Sequence, residues 1–103
     1  MNIDTRLALL QAFTHGESYG LEIIERVKKL TNGKISIVQG RVYPALRQLE
    51  AEGLLESYDG PPLPERNGRP RRYYRITAAG ERAARQDARA LFRLLKPALG
   101  VVA

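Results

Sequence analysis

A chain of 103 residues with 44% apolar side chains can bury one modest core, is too short for a pair of domains, and is expected to gain stability from a second copy. Its formal charge of +6 and pI near 10.1 point to an anionic partner such as nucleic acid or a membrane surface, a trait that basic ribosomal proteins share. Cysteine is absent and His15 is the one histidine, which argues against a disulfide framework, thiol chemistry, a metal site or a Ser/His/Asp triad. No Gly-rich phosphate loop follows a strand, and carboxylate pairs such as Glu50 and Glu52 fall on ordinary amphipathic helices. No cofactor and no enzyme activity are therefore expected. The stretch from Met1 to Arg6 lacks the charged-then-apolar order of a signal peptide, and no apolar run approaches membrane-spanning length. A soluble cytoplasmic protein without membrane contact is the expectation.

Asp4 is placed to cap a first helix in which Leu7, Ala8 and Leu10 recur at helical spacing up to Phe13, with His15-Gly16 ending it. Ser18 is placed to cap a second, from about Tyr19 to Leu30, burying Leu21, Ile24 and either Val27 or Ile23 before Thr31-Asn32-Gly33 stops it. Residues 34–38 read as an extended connector. From Gln39 to about Ala51 a third helix presents Val42, Leu46 and Leu49 on one narrow arc, with Gly40, Pro44, Arg47 and Ala51 opposite, flanked by Arg41, Tyr43 and Gln48. Gly53 suits the left-handed position that ends such a helix. Pro44 admits two readings: a helix that starts before it, its crowding eased by Gly40, or one that begins with Tyr43 as N-cap and Pro44 at the first helical position.

Beyond it, residues 54–59 and 71–77 read as two strands around a loop full of breakers, with Tyr74 and Ile76 on one face of the second strand and Arg71, Tyr73 and Arg75 on the other. Thr77 then caps a last helix in which Ala84, Ala88, Leu91, Leu95 and Ala98 recur at intervals of three and four. Charge is uneven: residues 1–60 hold seven basic and eight acidic side chains, residues 61–77 five against one, and residues 78–103 five against two. The predicted fold is mainly α with a small β-hairpin. It is a winged helix-turn-helix domain over 1–77 followed by a C-terminal dimerisation helix over 78–103.

Three blocks in order resemble the PadR-like family of winged-helix transcriptional regulators. They are Tyr19-Gly20-Leu21-Glu22-Ile23-Ile24, then Val42-Tyr43-Pro44-Ala45-Leu46 with Leu49 through Leu55, then Gly68 through Gly80 with its Arg69-Pro70-Arg71-Arg72-Tyr73-Tyr74 core. The resemblance implies a homodimer paired through C-terminal helices, DNA binding by the third helix and the wing, and repression often relieved by a small molecule. Two departures are plain: Val38 stands where a small hydroxyl residue commonly caps the third helix, and Arg41 where threonine is usual. Tryptophan is absent, so a tryptophan-walled drug pore is excluded.

The expected DNA-binding residues are Tyr19, Gln39, Gly40, Arg41, Tyr43, Pro44, Arg47, Arg66, Arg69, Arg71 and Arg72. Arginine can read guanine or hold phosphate, glutamine can read adenine, and glycine lets a backbone come close. Tyr19 and Tyr43 either meet phosphate or pack at a helix junction; the four loop arginines are either a solvated face or a groove and phosphate probe. Leu7, Leu10, Ala84, Ala88, Leu91, Phe92 and Leu95 are assigned to the dimer seam. An effector, if there is one, should be a small apolar or aromatic compound between the last and first helices, near Phe92, Phe13 and Leu10. The function expected is that of a DNA-binding regulator, a repressor on a roughly palindromic operator; the alternative is a winged-helix adaptor that binds protein.

Overall fold

The computed structural model describes residues 1–102, in the order α1 (Thr5–Phe13), β1 (Ser18–Tyr19), α2 (Gly20–Leu30), α3 (Gln39–Ala51), β2 (Leu55–Asp59), β3 (Arg72–Ile76) and α4 (Ala78–Leu95). Asp4 does cap α1, its carboxylate accepting from the Arg6 and Leu7 amides at 2.8 and 3.2 Å. α1 is the hub. It buries Ala8, Leu9, Leu10, Ala12 and Phe13 and packs against α2, α3 and α4.

Two expectations for α2 need correction. Ser18 does not cap it: Ser18 lies fully buried in β1, its hydroxyl 2.7 Å from the Glu22 carboxylate, and the extended residue preceding the helix is Tyr19. Leu21 is not core either, being 50% exposed. The helix is anchored on the face of Gly20, Ile23 and Val27, all buried, and Leu21 stands about 100° around from Gly20. After α2, the Thr31 hydroxyl bonds the Val27 carbonyl at 2.8 Å and accepts from the Ile35 amide at 3.1 Å. This closes the turn so that Ile35 and Ile37 enter the core alternately along the connector.

α3 runs through Pro44 rather than starting at it, with Val42, Leu46 and Leu49 completely buried. Its start at Val38 has no side-chain cap. Its end is secured: Gly53, at φ +75°, donates to the Glu50 carbonyl at 2.9 Å while Leu54 donates to Leu49 at 2.9 Å, the paired bonds of a Schellman turn. The chain therefore leaves α3 directly into β2.

The sheet has three antiparallel strands in the order β1-β3-β2, one more than the hairpin read from sequence. Ser18 faces Tyr74 and Tyr19 faces Tyr73, while β2 pairs with β3 from Leu55 opposite Ile76 to Asp59 opposite Arg72. A strand of two residues has no periodicity to detect. Between β2 and β3 the loop is stiffened by a 3₁₀ turn over Pro64–Arg66 and left-handed Asn67 and Gly68, whose amides return to the Pro64 and Leu63 carbonyls at 3.1 and 2.9 Å.

Thr77 caps α4 as expected, accepting from the Gly80 amide at 3.0 Å and donating to the Gly53 carbonyl at 2.6 Å. Only Gly80 and Ala84 of α4 are buried. The rest projects, which accounts for a radius of gyration of 15.1 Å and a long axis of 54 Å where a compact chain of this size would have a radius near 13 Å. Leu10 and Ala84, expected at the dimer seam, are instead interior to the chain at 2% exposure each, joining α1 to α4. Leu91 is half-buried, and Ala88, Phe92 and Leu95 remain open. Among the described residues no helix is long and apolar enough to cross a membrane.

Candidate nucleic-acid interface

Because Val42, Leu46 and Leu49 point into the core, α3 turns Gln39, Gly40, Arg41, Tyr43, Pro44 and Arg47 outward, and all six are exposed. A Cβ added at Gly40 would meet nothing within 4 Å. Space for a close approach is therefore open there. Tyr43 is 37% exposed, its ring lying over Gly20, where an added Cβ would fall 2.6 Å from it. The glycine lets α2 and α3 come together, with the tyrosine hydroxyl at their junction. Tyr43 thus packs at the helix junction while its edge stays open to solvent.

The wing base completes the face. Tyr19, Tyr43, Arg47, Arg66, Arg71 and Arg72 line one cleft of about 600 Å³ between the start of α2, α3 and the wing, together with Gly20, Leu21, Glu50, Pro70 and Tyr74. Six of the eleven expected DNA-binding residues thus converge. Gln39, Gly40, Arg41 and Pro44 lie along α3 outside this cleft, and Arg69 stands at the wing tip with its Nε donating to the Arg66 carbonyl at 3.0 Å.

Strand pairing places the aromatic residues. β1 sets Tyr19 edge-on against Tyr73, centroids 5.4 Å apart, and Arg71 lies 4.7 Å over the Tyr19 ring. Tyr73 stacks on Tyr58 at 5.6 Å, and Arg75 covers Tyr58 at 5.0 Å. The outer face of the sheet is therefore a row of three tyrosine rings with a guanidinium group at each end. Glu17 accepts a hydrogen bond from the Tyr58 hydroxyl, which raises that phenol above its ordinary pKa. Tyr74, on the inner face, packs edge-on against Phe13 at 6.5 Å, and burial pushes its phenol up despite nearby Arg72. It is core, as the alternation of β3 implied.

Not every arginine is equally available. Arg75 is held by Glu56 at 2.6 Å and Arg72 lies 3.7 Å from Glu50. Glu50 also accepts from the Ser57 hydroxyl, so one α3 carboxylate ties this helix to both β2 and β3. Among the described residues, Arg41, Arg47, Arg66, Arg69 and Arg71 have no carboxylate within 4.0 Å. Gly20, Glu50 and Pro70 were missed as site residues by sequence reading. Glu50 carries no local signal, because its partners come from strands seven and 22 residues away in the chain.

The expected effector walls are not assembled. Phe13 is fully buried against Tyr74, and Phe92 is solvent-facing. A smaller groove of about 340 Å³ does separate α1 from α4, but of the expected walls only Leu10 lines it, with Asp4, Arg6, Leu7, Asp87, Ala90 and Leu91.

The model of the transcriptional regulator PadR-like family matches residues 9–86. The chain is 36% identical over 95 residues to the transcriptional regulator Rv3488 of Mycobacterium tuberculosis, covering 92% of this chain and 82% of the relative. A transcriptional regulator of Clostridium thermocellum superposes with a TM-score of 0.75 at 28% identity, covering 93% of this chain and 86% of the other. The fold is also shared with Bacillus subtilis PadR solved in complex with operator DNA, at a TM-score of 0.68 and 21% identity, covering 79% of this chain and 43% of that one.

Proposed function

The chain belongs to the transcriptional regulator PadR-like family, whose members are regulators rather than enzymes, and from that premise we propose that it represses transcription by occupying a specific operator as a homodimer. One observation carries the DNA reading: among the described residues, Arg41 and Arg47 on the exposed face of α3 and Arg66, Arg69 and Arg71 on the wing have no carboxylate within 4.0 Å. Phosphate contacts would come from the wing arginines and Tyr19, base contacts from Gln39, Arg41 and Arg47. Residues 1–77 then form the DNA-binding unit and residues 78–103 the dimerising helix. Two-fold symmetry would set the recognition helices about 34 to 36 Å apart, one turn of duplex, so the operator would be roughly palindromic.

The dimer reading is supported by apolar side chains left in solvent. Phe92, Leu94, Leu95, Leu99 and Val102 are between 47% and 91% exposed, a patch that a monomer seldom leaves open. Leu94, Leu99 and Val102 extend the seam beyond the residues first assigned to it.

Arg47→Ala and Tyr43→Ala are expected to keep the fold, since both side chains lie off the buried stripe. An operator recovered by selection from random duplexes should bind Arg47→Ala more weakly by about 1 to 3 kcal/mol with relaxed specificity; a lost phosphate contact weakens all sequences alike. Gel-shift titration on operator and scrambled duplex separates these outcomes. Selection that yields no preferred sequence, with unchanged affinity in both variants, would support the adaptor alternative.

Effector control would act at the α1–α4 groove, by favouring one angle between the two DNA-binding units. Asp4 and Asp87 line it, while its one guanidinium, Arg6, is already bonded to Glu52, so an apolar cation is expected to suit it better than an aromatic carboxylate. In a thermal-shift screen of both classes, cations should raise the melting temperature and change operator affinity. Equal silence from both classes would leave abundance as the control.

A further inference from the structure

α4 carries a second concentration of positive charge that the operator reading does not use. Arg82, Arg85, Arg89 and Arg93 are all exposed; at 100° per residue they fall within an arc of about 80°, forming a straight row about 17 Å long. Lys96 extends the row just past the helix end. Gly80 and Ala84, the two buried residues of α4, lie on the opposite side of the helix. The row therefore lies on the outer side of α4, with Arg85 at its edge also lining a shallow groove against Gln11 and Thr14 of α1, and α1 packs against both α4 and α3.

Among the described residues none of the four arginines has a carboxylate within 4.0 Å, and Glu81, one turn before Arg85, is no exception. On α2 the exposed face mixes signs, with Glu22 and Glu25 beside Arg26 and an ion pair between Glu22 and Arg26 at 4.0 Å. Like charges at three- and four-residue spacing oppose helix formation. A local conflict repeated over three turns is what a binding surface, rather than an inert solvated face, would retain. Pairing with the α4 of a second copy would bring only Glu81 and Asp87 against Arg82, Arg85, Arg89, Arg93 and Lys96.

We propose that the α4 arginine row is a second duplex-DNA surface, independent of sequence and separate from the α3–wing face, through which the protein holds a further DNA segment. Guanidinium groups pair with phosphate in a bidentate way, and such binding needs no apolar anchor. A membrane surface fits less well. Arg82 and Arg85 stand on the part of α4 whose other face is already packed on the body, leaving no apolar surface there to enter a bilayer.

The test uses the full chain in three forms: wild type, row-neutral Arg82→Gln/Arg85→Gln/Arg89→Gln/Arg93→Gln, and face-neutral Arg41→Gln/Arg47→Gln/Arg66→Gln/Arg71→Gln. Circular dichroism should show all three folded, since glutamine keeps helix propensity and the row substitutions remove repulsion. Binding to a labelled random 30-base-pair duplex is measured between 50 and 200 mM salt, and capture of a second labelled duplex is measured on beads carrying the first. Face-neutral protein should keep salt-dependent binding to the random duplex. Row-neutral protein should lose second-duplex capture, and the slope of log affinity against log salt in the face-neutral form should be about −3.6, the value for four phosphate contacts. Unchanged capture in the row-neutral form, or no duplex binding by the face-neutral form, would overturn the proposal while leaving the operator reading intact. A sedimentation change on row neutralisation, or binding of phosphatidylserine vesicles in preference to duplex, would overturn it as well. Loss of operator specificity is read on the face-neutral form alone, so the two readings fail separately.

Discussion

Gly80→Ala should lower the free energy of unfolding by about 3 kcal/mol, at the upper end of what overpacking costs, although alanine is the better helix former. A Cβ at this position would lie 2.1 Å from the Leu54 carbonyl oxygen and 2.6 Å from the Ile76 side chain. The side chain can move, but the carbonyl cannot easily do so, because it accepts the Thr77 amide at 3.1 Å at the corner where β3 turns into α4. Relief would require α4 to lift from the sheet, withdrawing Ala84 from the core and breaking the bond from Gln11 to the Ala84 carbonyl at 2.8 Å. Urea unfolding at fixed protein concentration measures the effect. Gly40→Ala is the matched control: nothing lies within 4 Å of its Cβ, so stability should rise by about 0.5 kcal/mol while operator affinity falls, since the added methyl stands where DNA would come closest. Equal stability of wild type and Gly80→Ala would mean that α4 does not dock at this corner.

Leu91→Glu with Leu95→Glu should dissociate the dimer. Leu95 is 47% exposed and Leu91 half-buried in the single chain, so neither substitution disturbs the core built on α1 and α3, but both would place carboxylates in the proposed seam. Burying charge without a partner costs several kcal/mol, and about 1.4 kcal/mol is tenfold in affinity. The dissociation constant should therefore rise more than 100-fold. Sedimentation at micromolar concentration should show wild-type dimer and variant monomer, with operator affinity falling in parallel because two half-sites no longer bind as one. A wild-type chain that sediments as a monomer would remove the seam, and the palindrome with it.

Much of the architecture was legible because local chemistry and tertiary packing agree. The Asp4 and Thr77 caps, the α3 stripe of Val42, Leu46 and Leu49, the left-handed Gly53 and the inward Tyr74 are each set by neighbours a few residues away, where periodicity and capping act. The outward set from Gln39 to Arg47 follows from the same stripe, since a helix that buries one face must present the other. The sequence by itself therefore determined the order of helices, which face of α3 is free, and the basic character of the wing.

Other features depend on residues far apart in the chain. β1 exists because Ser18 and Tyr19 meet Tyr74 and Tyr73, and two residues alone carry no strand signal. Once that pairing forms, Gly20 must start α2 against Tyr43, which rotates Leu21 into solvent against the expectation from its hydrophobicity. Glu50 becomes the link between α3 and the wing only when both strands arrive. Ala84 lies on the same helical stripe as Ala88 and Leu95, yet the first is core and the other two are open. Helical periodicity specifies a face and its direction, but how far along α4 the body extends is decided by where α1 ends, and that is a property of packing in three dimensions.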